Sequence, residues 1–149
     1  MKVYLDNCCY NRPYDDQSQM TISLETQAKL KIQRLIKNGE IDVVSSYMLR
    51  LENSQNPHED RRRSTEQFLM GYAVEHIGTE KSSSVNAQAQ EIMKTGVKMK
   101  DAVHVACAIE AGCQFFISTD KRLLKYQTTE IQMVNPIDYI RLEEDDEHN

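Results

Sequence analysis

The stretch KVYLDNCCYNRP (residues 2–13) joins a short apolar run to a group of polar side chains. Residues 2–5 are predicted to form a buried strand, and Asp6 follows that strand directly. Residues 7–20 are polar, contain Pro13, and are predicted to form a loop. A plain turn would need one polar residue, so an aspartate, an asparagine and two cysteines at this strand exit suggest a functional site.

Beyond this stretch the chain alternates between short apolar runs and longer segments with apolar residues at three- and four-residue spacing. The predicted strands are 2–5, 41–44, 74–77, 115–117 and 131–134, and the predicted helices are 22–36, 47–54, 57–70, 82–95, 100–111, 121–126 and 137–142. This order is typical of an α/β fold in which helices cover both faces of a parallel sheet. Ligand sites in such sheets lie beyond the carboxyl ends of the strands, where the strand order reverses.

The chain has 149 residues, 40% of them hydrophobic, which is enough for one domain with one core. Residues 143–147 carry five of the negative charges, so we expect a domain over residues 1–142 and a disordered acidic tail over residues 143–149. No apolar run is long enough for a membrane span or a signal peptide. We therefore expect a soluble, cytoplasmic protein.

Cysteine usage and charge add two expectations. The chain has four cysteines but no C-x-x-C motif, which favours reduced thiols over disulfides or a zinc site. Outside the acidic tail the charges balance, with local basic groups at residues 61–63 and at Lys98, Lys100, Lys121, Arg122 and Lys125. A run of three arginines is more often a solvated helix face than a phosphate site.

Four acidic residues occupy positions where a parallel sheet would bring them together. Asp6 follows the first strand, Asp120 follows the strand over 115–117, Asp101 opens the helix that precedes that strand, and Glu52 shares the apolar stripe of its helix. Each residue taken alone has a structural explanation, such as a helix cap for Asp120 or a favourable dipole position for Asp101. Together they would repel one another unless a cation lay among them.

The donor chemistry of these four residues indicates the cation and the reaction. Carboxylate oxygens without an accompanying thiolate or histidine set favour Mg²⁺ or Mn²⁺ over zinc. Such ions keep coordination positions for phosphate oxygens and lower the pKa of a bound water. Phosphodiester hydrolysis is the reaction that suits this chemistry.

The acidic residues also carry a resemblance to a known family. Asp6, Glu52 in SYMLRLE, Asp101 in KDAVHVACA and Asp120 in FFISTDKRLLK resemble, in order and interval, the acidic positions of the PIN-domain family. The resemblance runs from residue 2 to about residue 142, and DNCCYNRP is similar to a variant opening in some bacterial members. It implies a Rossmann-like three-layer sandwich with about five parallel strands, and a metal-dependent ribonuclease that is often the toxin of a toxin–antitoxin pair.

The resemblance also implies individual roles. Asp6, Glu52, Asp101 and Asp120 would be the catalytic residues and the ligands of Mg²⁺ or Mn²⁺. Asn7 and Ser118 would support these ligands, and Arg12 and Lys121 are candidate phosphate-binding residues, although Arg12 could equally form a salt bridge with Asp15 or Asp16. RNA would be the substrate, and a homodimer and a small antitoxin protein are the expected partners.

Three alternatives stay open. His104 could be a ligand or a proton donor, but we favour a hydrogen-bonded core histidine. The common PIN opening has threonine or serine after the aspartate, whereas this chain has Asn7 and Cys8, so a catalytically inactive PIN-like module that binds RNA or protein is the second hypothesis. A phosphoacceptor domain that uses Asp6 is the third.

Overall fold

A sheet of five parallel strands organises the protein, whose computed structural model describes residues 1–148. The strands are β1 (Lys2–Leu5), β2 (Asp42–Ser46), β3 (Ala73–Ile77), β4 (Phe115–Ile117) and β5 (Gln132–Val134). Their order across the sheet is β3-β2-β1-β4-β5, and every neighbouring pair is parallel. Strand β1 lies at the centre, and the side chains of Val3, Tyr4 and Leu5 are fully buried. Burial on both faces explains why this strand is continuously apolar.

Seven helices of the described residues surround the sheet. They are α1 (Asn7–Asn11), α2 (Met20–Lys37), α3 (Tyr47–Ser54), α4 (Glu59–Tyr72), α5 (Ser82–Met93), α6 (Met99–Glu110) and α7 (Pro136–His148). Helix α2 packs against α7, and α5 packs against α6. The predicted three-layer α/β sandwich with a parallel sheet is thereby confirmed. Within residues 1–148, none of these helices combines the length and the apolar character that crossing a membrane requires.

The strand order reverses beside β1. The chain runs from β1 to β2 and β3 on one side of the sheet, and then crosses to β4 and β5 on the other side. Leu5 pairs with Ile117, and the backbone N–H of Asp6 donates to the carbonyl of Ile117 at 2.9 Å. The carboxyl ends of β1 and β4 therefore meet at the reversal, which is where ligand sites form in open α/β sheets.

The segment after β1 differs from the expected loop. Residues 7–11 form α1, and a 3-10 turn follows over Arg12–Tyr14. The carboxylate of Asp6 accepts the backbone N–H of Asn7 at 2.8 Å, and the Asp6 backbone has the extended conformation of an N-cap. An N-cap compensates for the poor helix propensity of a short polar sequence. The helix predicted over residues 121–126 is likewise only a 3-10 turn over Leu123–Lys125.

The acidic tail also differs from its prediction. Helix α7 continues past residue 142 to His148, where a disordered segment was expected. The Lys31 ammonium lies 2.9 Å from the Glu144 carboxylate, and the Tyr139 hydroxyl donates to Glu143 at 3.3 Å. These contacts to α2 and within the helix counter the repulsion among the acidic side chains. Asn149, the end of the predicted tail, lies outside the described residues.

Candidate functional site

Asp6 and Ser118 meet where β1 and β4 end. The Ser118 hydroxyl donates to Asp6 Oδ2 at 2.9 Å, and both residues are buried, with exposures of 0% for Ser118 and 6% for Asp6. The Cys8 thiol donates to the same oxygen at 3.5 Å and lies 3.3 Å from the Ser118 hydroxyl. Both Asp6 oxygens thus accept hydrogen bonds that fix the orientation of the carboxylate.

Asp120 belongs to the same strand end. Its backbone N–H donates to the Ser118 hydroxyl at 3.1 Å, while its Oδ1 accepts the backbone N–H groups of Arg122 and Leu123 at 2.9 and 3.2 Å. The capping role considered for this residue is therefore real, and it occupies one carboxylate oxygen. Asp120 is exposed, so its other oxygen is accessible to a ligand.

Glu52 reaches the site from α3 and contacts His104 on α6. Glu52 Oε1 lies 2.5 Å from Nε2 of the histidine, whose side chain is 1% exposed. Burial alone would raise the pKa of Glu52, but the hydrogen bond from His104 and the charges of His104 and Lys100 lower that pKa below its ordinary value. The side-chain amide of Asn7 contributes in the same direction. Glu52 is therefore a carboxylate at neutral pH.

Asp101 lies in the first turn of α6 and is half-buried. Burial raises its pKa above the ordinary aspartate value, and the negative charges of Asp6 and Asp120 raise it further, with a smaller contribution from Glu52. A charge raises a neighbour's pKa in this way only at short range. The charges of the other three acids therefore act on Asp101, although the four residues come from four different parts of the chain.

Three of the acids, Glu52, Asp101 and Asp120, border two adjoining clefts that also carry basic side chains. One cleft of about 490 Å³ is lined by Asp101 and Asp120 together with Lys98, Arg122 and Lys125. The other, of about 450 Å³, lies between Glu52 and Asp101 and is lined by Lys98 and Lys100. Positive charges that flank carboxylates allow a polyanion to approach an otherwise negative site.

The two candidate phosphate-binding residues lie elsewhere. Arg12 donates to the buried Glu25 at 2.8 and 3.1 Å and to Asp15 at 3.0 Å, so its guanidinium is engaged in ion pairs. Lys121 is exposed next to Asp120 but does not line either cleft. The basic side chains at the acids are Lys98, Lys100, Arg122 and Lys125.

The residue types at this site suit a divalent cation, but the side chains do not form a finished cage. Asp6, Glu52, Asp101 and Asp120 supply the oxygen donors that Mg²⁺ and Mn²⁺ prefer. The side-chain oxygen of Asn7 is buried and has no hydrogen-bond partner, so it is a further oxygen that a cation could satisfy. Across residues 1–148, however, no three histidine, cysteine, aspartate or glutamate side chains are grouped so that they could hold a metal ion as they stand. Binding would therefore need the carboxylates to draw together.

Several contacts at and near the site were not foreseen from the sequence. His104 lies in the core, as favoured, but its partners Glu52 and Tyr4 were not identified. A tyrosine in a fully buried strand needs a partner for its hydroxyl, and this was the available signal. The four cysteines are free thiols, as expected.

A third cavity does not contain the acids. It measures about 900 Å³ and lies between α3, α4 and the edge strand β3. Its lining includes Leu51, Met70 and Val74, and its only carboxylates are Glu66, Glu75 and Glu80 among the described residues. The convergence of Asp6, Asp120 and Asp101 at the strand-order reversal is a stronger indication of a chemical site than cavity size.

Comparison with known proteins shows the fold. No family model matches the chain, and no curated protein matches it either. The structure of FitAcB from Neisseria gonorrhoeae is similar, with a TM-score of 0.55 and 13% sequence identity over 90% of this chain and 97% of that one. The structure of FitAB bound to an IR36 DNA fragment has a TM-score of 0.58 and 15% identity over 91% and 95% of the two chains. At such identities the likeness shows the fold alone, and that fold agrees with the three-layer α/β sandwich expected from the sequence.

Proposed function

We propose that this protein is an endoribonuclease that depends on Mg²⁺ or Mn²⁺ and hydrolyses RNA phosphodiester bonds. The observation that supports the proposal is that Ser118 links Asp6 to Asp120 at the strand-order reversal, while Asp101 shares one cleft with Asp120 and another with Glu52. Neighbouring carboxylates repel one another, and a cation bound among them would relieve that repulsion. A cytoplasmic location follows from an RNA substrate.

Each residue would have a distinct task. Asp6, Glu52, Asp101 and Asp120 would hold the cation, which when bound activates a water and stabilises charge on the reacting phosphate. Ser118 keeps Asp6 oriented through the bond at 2.9 Å, and Asn7 supports Glu52. Lys98, Lys100, Arg122 and Lys125 line the clefts and would bind phosphates on either side of the cleaved bond.

Purified full-length protein tests this proposal. We expect it to cleave labelled RNA when Mg²⁺ or Mn²⁺ is supplied and to stop when EDTA is added. Asp6→Asn and Asp101→Asn should each lower the cleavage rate about 100-fold or more, because a lost ligand costs several kcal/mol of transition-state stabilisation. Asp60→Asn, at an exposed acid on α4, is the matched control and should cleave as the wild type does.

Two outcomes would contradict the proposal: cleavage that persists in EDTA, or equal rates in wild type and both aspartate variants. A labelled DNA of the same sequence belongs in the same assay, since one similar structure is of FitAB bound to a DNA fragment. Preferential cleavage of the DNA would reassign the substrate while leaving the metal-dependent chemistry intact.

A second candidate function is that of an inactive PIN-like module that binds RNA or another protein. The observation that favours it is the arrangement of the acids, which leaves no ready-made metal cage among residues 1–148. Salt-sensitive RNA binding without any divalent-dependent cleavage would establish this function in place of the nuclease.

The biological role that we propose is that of a toxin restrained by a small antitoxin, with the chain acting as a homodimer. Inducible expression should arrest growth, and co-expression of the small neighbouring gene should relieve the arrest. Growth arrest that the neighbouring gene does not relieve would contradict the pairing with that antitoxin and leave the nuclease proposal intact. Light scattering coupled to size exclusion would give the subunit number directly.

A further inference from the structure

We infer that His104 is a positioning residue that holds the carboxylate of Glu52 in place at the acidic site, and that Tyr4 and Ser46 anchor His104 from behind. The inference rests on the proposed function, because it concerns a residue that we propose to hold the cation. It adds three residues that are not ligands and that the acidic motif does not include.

His104 has no freedom to turn. Its side chain is buried, its Nε2 lies 2.5 Å from Glu52 Oε1, and its Nδ1 lies 2.6 Å from the Tyr4 hydroxyl. Because both ring nitrogens are engaged, any rotation of the imidazole would break one hydrogen bond in an environment without water. With Nε2–H as the donor to the carboxylate, the ring fixes where Oε1 lies.

Tyr4 is held equally firmly. Its ring stacks on Phe116 with a centroid distance of 5.2 Å and an interplanar angle of 10°. Its hydroxyl also lies 2.6 Å from Ser46 Oγ, and that oxygen accepts the backbone N–H of Leu49 at 3.0 Å. The central strand β1 therefore provides a rigid base for the histidine.

These contacts connect the two ends of α3. Ser46 is the N-cap of α3, and Glu52 lies near the other end of the same helix. The chain of contacts runs from Glu52 through His104 and Tyr4 back to Ser46, so both ends of α3 are tied to the sheet. Glu52 cannot shift without loosening the helix cap or the buried ring.

A purely structural histidine would not need this arrangement. A core imidazole is satisfied by any neutral acceptor, whereas His104 contacts a carboxylate whose side chain is 23% exposed and lines a cleft. Hydrogen bonds to a ligating carboxylate orient it and are typically worth 10- to 100-fold in metal affinity or activity. The position of His104 is that of such a supporting group.

Binding of Mn²⁺ to the full-length protein, measured by titration calorimetry, tests the inference. His104→Leu removes both hydrogen bonds at similar volume, and we expect it to weaken Mn²⁺ binding about 10-fold or more. Tyr4→Phe keeps the ring stack and removes only the hydroxyl, so it should weaken binding in the same direction and remain folded. His58→Leu, at an exposed histidine, is the control and should bind as the wild type does.

A double-variant cycle shows whether His104 acts through Glu52. If it does, adding His104→Leu to Glu52→Gln should weaken Mn²⁺ binding no further, because the group being positioned is already lost. The inference is overturned if the two effects add, or if His104→Leu and Tyr4→Phe are both folded and bind Mn²⁺ as the wild type does.

Nuclear magnetic resonance of the imidazole protons separates this inference from the proposed function. We expect a downfield Nε2 proton signal for His104 that moves upfield in Glu52→Gln. A wild type that binds no Mn²⁺ but shows this signal would overturn the proposed function and keep the contact between the two residues. A His104 signal that is insensitive to Glu52→Gln would overturn the inference.

Discussion

At the scale of single residues, Lys29 shows how the free-energy cost of burying a charged side chain depends on its partners. It is 7% exposed, donates to Gln33 at 2.7 Å and lies 5.7 Å from the centre of the Tyr10 ring. Neither partner carries a charge that would balance the ammonium. Burial therefore lowers the pKa of Lys29 to about 8.

This lowered pKa predicts a dependence of stability on pH. Between pH 8 and 10.5 the unfolded chain keeps a proton that the folded chain has released, so the contribution of Lys29 to stability rises with pH in that window. Below pH 8 the full cost of burying the charged Lys29 ammonium remains, on the order of 3 kcal/mol. Urea unfolding should find Lys29→Met more stable than the wild type at pH 7, with the gap narrowing by pH 10.

Comparing the two proteins at each pH removes the effect of other groups, such as Cys107 and Cys113, whose pKa values burial raises to about 12. A gap between Lys29→Met and wild type that stays constant from pH 7 to pH 10 would show that Lys29 does not titrate in this range.

The residue scale is also where prediction from sequence reached its limit. Asp6 and Asp120 could be placed because the end of a parallel strand fixes where its next residues lie. The support that Tyr4 and Ser46 give to His104 could not be predicted, because Ser46 looks like a helix cap and Tyr4 like a core residue. Their contact spans 42 positions, and that between Tyr4 and His104 spans 100. No local pattern encodes such pairings.

At the scale of elements, the Arg12 ion pair joins the turn after α1 to α2. Arg12→Gln would leave Glu25, with its side chain only 6% exposed, without its cation. We expect a loss of about 3 kcal/mol in the free energy of unfolding, because an unpaired buried carboxylate is costly. Arg50→Gln breaks an exposed pair with Glu66 and should cost less than about 1 kcal/mol.

The same variant decides between the two roles considered for Arg12. If the residue is structural, RNA affinity at a temperature where Arg12→Gln is folded should match that of the wild type. Weaker RNA binding together with unchanged stability would instead make Arg12 a phosphate-binding residue.

A glycine with positive φ follows the end of α6, the helix that carries Asp101. Gly112 follows α6 with a φ of 72°, and an added Cβ would meet no atom within 4 Å, so only backbone strain opposes a side chain there. Gly112→Ala should lower the free energy of unfolding by about 1 kcal/mol. Gly71 lies inside α4, and a Cβ added there would also meet no atom within 4 Å. Gly71→Ala should therefore raise the free energy of unfolding by about 0.5 kcal/mol. Denaturant unfolding that gives both variants the same sign would contradict this explanation.

Elements with a clear apolar period were predicted well, whereas short polar ones were not. Helix α2 follows its period through Ile32, Leu35 and Ile36 and ends at Lys37, two residues before Gly39. The five residues of α1 are too few for a period, and they are helical because Asp6 caps them. The acidic end of α7 was missed because composition alone does not show the ion pair with Lys31.

At the scale of the whole molecule, the charge of Asp101 lowers the stability of the fold. Asp101 has a raised pKa, so its charge opposes folding above its unfolded pKa, and this cost is relieved as pH falls through the folded value. In metal-free protein at neutral pH, Asp101→Asn should therefore raise the melting temperature. The variant should also lose the additional stabilisation that Mn²⁺ gives the wild type. A melting temperature of metal-free Asp101→Asn below that of the metal-free wild type would contradict this prediction.

The overall architecture followed from the sequence more readily than the site did. Alternating strands and helices predict a parallel sheet, and a parallel sheet predicts which strand ends meet. Side-chain distances depend instead on how α3 and α6 are tilted and supported, for which the position of Glu52 beside His104 is an example.

A crystal structure of the full-length protein soaked with Mn²⁺, with the metal located by its anomalous scattering, tests the central claim most directly. We expect an anomalous peak bounded by the carboxylates of Asp6, Glu52, Asp101 and Asp120. A saturated crystal with no peak among these four side chains, or with its strongest peak elsewhere, would contradict the account.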